Sequence, residues 1–110
     1  MPDFVQVTTT TETREDAERI ARALVERRLA ACAQIVGPIH SVYWWEGAVQ
    51  RSEEWMCILK TSEERFHDLE EAIGEVHPYD VPEVLAVPVV AGNRSYLDWL
   101  DEELSHRKEA

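Results

Sequence analysis

Basic side chains are scarce in this chain: 11 lysines and arginines stand against 22 aspartates and glutamates, a net charge of −11. No cluster of them is long enough to track a phosphate backbone, which sets aside nucleic acid and anionic membrane as partners. Glycine is also sparse, with four residues, so no glycine-rich phosphate loop exists, and no G-x-S-x-G nucleophile turn is present either. Enzymatic chemistry therefore finds little support. The two cysteines, Cys32 and Cys57, lack a C-x-x-C neighbour and lie in apolar strand-like runs, where thiols are expected reduced and slow to react. His40, His67, His77 and His106 show no i, i+3 or i, i+4 pairing, so no local metal motif is present. The longest nearly continuous apolar run, Val84 to Ala91, is interrupted by Pro88 and falls far short of the roughly 20 residues that cross a bilayer. Met1-Pro2-Asp3-Phe4 has neither the basic nor the apolar segment of a signal peptide, which predicts a cytoplasmic protein.

What remains is an ordinary globular composition, 45% hydrophobic over 110 residues, and residues 1–110 read as one domain. Phe4 to Val7 and the threonines after it read as a first strand. Thr13 with Asp16 makes a capping box, and Ala17, Ile20, Ala21, Leu24 and Val25 recur at helical spacing up to Arg28-Leu29. Ala31 to Val36 and Ile39 to Trp45 form one long strand with a bend at Gly37-Pro38, and the chain returns from Ala48 to Lys60. Thr61 or Ser62 caps a second helix with Phe66, Leu69, Ile73 and Val76 on one stripe, ended by Pro78. Glu83 to Val90 is a strand that Pro88 places at a sheet edge. Ser95 with Asp98 caps a last helix whose Tyr96, Leu97, Leu100 and Leu104 face inward, with a frayed tail after His106. The order βαββαβ plus a C-terminal helix is an α+β, ferredoxin-like sandwich with an extended β-hairpin.

Trp44 and Trp45 are adjacent in a strand, so their rings point to opposite faces. With Tyr43 they stand near the tip of a hairpin whose return strand is polar from Gln50 to Glu54 and apolar on both faces from Trp55 to Leu59. An apolar ring on a polar tip needs a partner, and another copy of the chain is the simplest one. Tyr43, Trp44 and Trp45 are thus the expected subunit interface. Lys60, Tyr79 and Glu83 sit at strand ends or in the loop before the last strand, where an intersubunit cleft beside Trp45 would gather them into a small-molecule or enzyme site.

Arg28-Leu29-Ala30-Ala31-Cys32-Ala33, Tyr43-Trp44-Trp45-Glu46-Gly47, His77-Pro78-Tyr79-Asp80-Val81-Pro82-Glu83 and Tyr96-Leu97-Asp98-Trp99-Leu100 resemble the CutA divalent-cation-tolerance family over almost the whole chain. The resemblance implies a PII-like homotrimer in the cytoplasm, without established enzyme activity, linked to copper and other divalent cations. It also implies copper ligands: a histidine pair before Pro-Tyr and a cysteine at the end of the first strand. Here Val76-His77 and Thr9 occupy those positions. His77 is left as a weak site for Cu(II) or another divalent cation, to which only the neutral imidazole coordinates.

Overall fold

Mostly β-branched residues, Phe4–Thr11, form β1, and the chain turns directly into α1, Arg14–Glu26. The Thr13 hydroxyl accepts the Asp16 backbone N–H at 3.1 Å, as the capping pattern predicts. Helix α1 stops short of Leu29 because Arg28 adopts a left-handed φ of 61°. That residue closes the turn where glycine is usual, and its guanidinium reaches the Glu103 carboxylate 2.5 Å away. The computed structural model describes residues 3–106, so the frayed tail expected after His106 lies outside the described residues.

Strand β2, Cys32–Trp45, and strand β3, Ala48–Ser62, build the long hairpin. Their register slips between Val36 and Ile39, the bend that Gly37-Pro38 predicts. Gly37 has a further reason to be glycine: a β-carbon there would lie 2.6 Å from the Trp55 ring. At the tip Glu46 and Gly47 take φ of 50° and 80°, the two left-handed residues of a tight type I′ turn. Ser62 then accepts the Arg65 backbone N–H at 3.3 Å and leads through a 3₁₀ turn, Glu63–Arg65, into α2, Phe66–Val76. Thr61, the other candidate cap, donates its hydroxyl to the Leu29 carbonyl at 2.6 Å instead.

Strand β4 is shorter than expected at both ends, Leu85–Pro88, and just beyond it the Val89 backbone N–H still donates to the Phe4 carbonyl at 2.9 Å. The last helix, α3, spans Arg94–Ser105 and is preceded by Asn93. It thus begins one residue before Ser95, and the Ser95 cap is corrected accordingly. All pairings are antiparallel, in the order β2-β3-β1-β4, with β4 at the edge.

Strand alternation gives the sheet two different faces. Val5 and Val7 of β1 and Cys57 and Leu59 of β3 meet Ile20, Leu24, Leu69 and Ile73 of α1 and α2 in the main core. On the other face Phe4 packs on Leu100 and Leu104 of α3, and α3 covers little beyond it. The register places Val36, Met56, Leu85 and Val87 on that second face, where Val36, Leu85 and Val87 are exposed. Cys57 is fully buried, and burial pushes its thiol up to about 11. Cys32 differs from the expectation: it is half-buried, has Lys60 as its cross-strand partner and lies 3.5 Å from the Tyr96 hydroxyl.

Candidate functional site

Glu54 is the one residue of the polar hairpin segment that turns back into the protein. It occupies a β3 position on the same face as Met56 and Ile58, because positions two apart share a face, and it is only 8% exposed. Its Oε2 accepts the Tyr79 hydroxyl at 2.9 Å. Tyr79 is delivered by the end of α2: Pro78 cannot continue the helix, His77 is its C-cap in extended conformation, and the chain folds back so that the His77 and Tyr79 rings lie 4.8 Å apart.

His77 is buried and fully engaged. Its Nδ1 accepts the Tyr79 backbone N–H at 3.1 Å, so Nε2 carries the proton and donates to the Thr10 carbonyl at 2.8 Å. A metal ion at His77 has to displace one of these bonds. Burial lowers the His77 pKa below its ordinary value, and the Thr10 hydrogen bond only partly opposes this. The folded state therefore favours neutral imidazole, whereas the unfolded chain takes up a proton near pH 6.5. This contribution to stability is complete above that pH and is lost as the pH falls below it. The thermal midpoint should drop between pH 7 and 5 in the wild type more than in His77→Asn. Parallel pH profiles would contradict the assignment.

A cavity of about 370 Å³ opens beside these residues, lined by Thr10, Tyr43, Trp45, Glu54, Tyr79, Asp80, Val81 and Glu83. Burial raises the Tyr79 hydroxyl pKa, with the Glu54 hydrogen bond adding to it. Burial and then the Glu54 charge raise that of Glu83. Of the residues the sequence grouped, Trp45, Tyr79 and Glu83 share this cavity. Lys60 of the same chain does not: it lies six residues from Glu54 along β3, roughly 20 Å at strand rise. There its ammonium donates to the Tyr96 hydroxyl at 3.3 Å, beside a second cavity of about 310 Å³. Glu54 and Thr10 were missed. The available signal was a lone carboxylate in phase with the apolar residues of β3.

The tip aromatics differ in exposure, Trp44 at 74% and Trp45 at 52%. Trp45 and Tyr43 pair with Ala48 and Gln50, in phase with Glu54, and so stand on the cavity side. Trp44 stands on the reverse.

The family model described as CutA1 divalent ion tolerance protein matches residues 5–103. The chain belongs to this family. The divalent-cation tolerance protein CutA of Thermus thermophilus is 46% identical over 102 residues, covering 93% of this chain and 97% of that protein. Rice protein CutA 1, chloroplastic, is 45% identical over 100 residues, 91% of this chain, which spans only 56% of the rice protein. The crystal structure of CutA1 from Oryza sativa superposes with a TM-score of 0.91 at 40% identity, covering 99% of this chain and 97% of that one. The fold is thus the ferredoxin-like one expected from the element order and the PII-like one that the resemblance implies, and the family is described by ion tolerance and not by a reaction.

Proposed function

We propose that the protein acts in divalent-cation tolerance as a non-catalytic homotrimer with a PII-like sensing role. The observation that carries this reading is apolar surface without a partner in its own chain. Val42, Trp44, Trp45 and Val49 on the hairpin, and Val36, Leu85 and Val87 on the second sheet face, are all exposed. Soluble monomers rarely leave so many large apolar side chains of strands uncovered, and a rotational trimer would cover three copies at once. Sedimentation at low micromolar concentration should give one species near three times the 12.7 kDa chain mass. A stable, folded monomer there would refute the reading.

Weak binding of Cu(II) or another divalent cation at His77 belongs to the same proposal. Imidazole suits copper, and the ion's competition with the Thr10 and Tyr79 hydrogen bonds keeps the affinity low. Among the described residues, Glu102 and Glu103 of α3 with His106 just after it are the one group of three acidic, histidine or cysteine side chains whose ligand atoms lie within 4.8 Å of one another. Cu(II) titration should weaken in His77→Ala, while unchanged binding would move the site to that group or elsewhere on the acidic surface. A second reading, a small-molecule site, is favoured by the cavity under Trp45.

A further inference from the structure

Glu54 is more than nine-tenths buried, and among the described residues its carboxylate has one side-chain hydrogen bond, from Tyr79, and no ion pair. A buried carboxylate without a counter-charge is costly. Burial and then the Glu54 charge raise the carboxyl pKa of Glu83 on the same cavity, which reflects the uncompensated field there. The walls of that cavity include Tyr43 and Trp45, the rings assigned to a subunit contact, so the neighbouring copy that covers them also stands over Glu54. It is placed to bring a cation.

The choice of cation is narrow. Arg14, Arg19, Arg22, Arg28 and Arg94 already meet carboxylates of their own chain, and Arg65 holds the Leu104 carbonyl. Arg27 caps α1, which packs on the other face of the sheet, and Arg51, an odd number of positions from Glu54 along β3, stands on the reverse of the hairpin. Among the described residues Lys60 is left. It is in phase with Glu54 on β3, and its cross-strand row runs through Gln6 to the exposed Val87, on the sheet face open to another copy. Its ammonium lies 3.3 Å from the Tyr96 hydroxyl and 5.3 Å from the centroid of that ring, and forms no ion pair within the described chain.

Within one chain the two charges stand roughly 20 Å apart at strand rise and cannot meet. A rotational trimer removes that obstacle, because each of its contacts is heterologous and sets one patch against a different patch of the next copy. Each chain then offers its acid to one neighbour and its base to the other. We propose that the partner subunit's Lys60 seats on Glu54 and completes this cavity, with Tyr79 orienting the carboxylate from one chain and Tyr96 the ammonium from the other. The pair rests on the trimer reading and deepens it, since it names the contact that fixes how one copy docks on the next.

A double-mutant cycle tests it, with trimer dissociation followed by sedimentation over a range of protein concentrations in increasing urea. Glu54→Gln keeps an acceptor for the Tyr79 hydroxyl, and Lys60→Met keeps the apolar stem. Each single substitution should weaken the subunit contact by about tenfold or more, because it leaves the opposite charge buried and unpaired. The double variant should then be no weaker than the weaker single one. Lys60→Glu, which sets two carboxylates against each other, should be worse than Lys60→Met. Additive losses in the double variant, or a single variant as stable as the wild-type trimer, overturn the pair. So does a crystal structure of the assembled protein with a different cation seated on Glu54. A monomeric wild type would refute the trimer and the pair together, whereas a trimer with additive losses would refute the pair alone.

Discussion

Trp45→Ala is expected to dissociate the proposed trimer into folded monomers at low micromolar concentration. Trp45 ends β2 and remains 52% exposed within its own chain. Its register with Ala48 puts the ring in phase with Glu54 and, through it, with Met56 and the second sheet face. That face carries the exposed Leu85 and Val87, so one neighbouring subunit can cover ring and sheet together. Truncating a buried large aromatic costs about 3–5 kcal/mol, which weakens each interface by two to nearly four powers of ten. The monomer itself should stay folded, because the ring contributes nothing to the core formed with α1 and α2. Trp44, on the reverse of the hairpin and 74% exposed, should lose much less. Sedimentation of both variants decides the matter: equally small effects would mean that neither ring is at an interface.

A different loss is expected from Leu59→Ala. Leu59 is fully buried, opposite Val7 on one side and Ala33 on the other, under α1 and α2. Removing three heavy atoms from such a site costs about 2–5 kcal/mol, the spread depending on how far the cavity collapses. Because the site lies within one chain, urea unfolding should show this loss equally at all protein concentrations. Ile58, the next residue along β3, points to the opposite face and is half-buried. Its truncation should matter more as concentration rises and the trimer forms. Concentration-dependent destabilisation by Leu59→Ala would place that side chain at an interface instead.

Much of the fold was legible because local signals agreed with one another. The Thr13 cap, the Gly37-Pro38 irregularity, the Glu46-Gly47 turn and the edge position of Pro88 each follow from backbone chemistry confined to a few residues. The misplacements were local as well. Arg28 ends α1 early by adopting a left-handed φ that a non-glycine residue seldom takes. Ser95 offered a better capping pattern than Asn93, yet α3 begins at Arg94.

The candidate site was legible only in part. Tyr79, Glu83 and Trp45 were grouped together, and they do line one cavity. Lys60 of the same chain stands apart from them, since distance along a strand is fixed at about 3.3 Å per residue, and the cleft expected to gather it lies between subunits. Glu54 reads in the sequence only as the end of the polar run from Gln50. Its burial depends on Tyr79, 25 positions later in the chain, arriving with a hydroxyl to donate.

The sequence by itself determined the elements, their order and the faces they bury, since hydrophobic period, caps and turn residues act over three or four positions and need no distant partner. Only the tertiary structure decided what His77 and Glu54 are. The imidazole became a doubly bonded neutral link between Thr10 and Tyr79, and the carboxylate the base of a cavity, once α2 returned the chain across β1 and β3. Protonation and charge depend on burial and on partners remote in sequence, which no local pattern encodes.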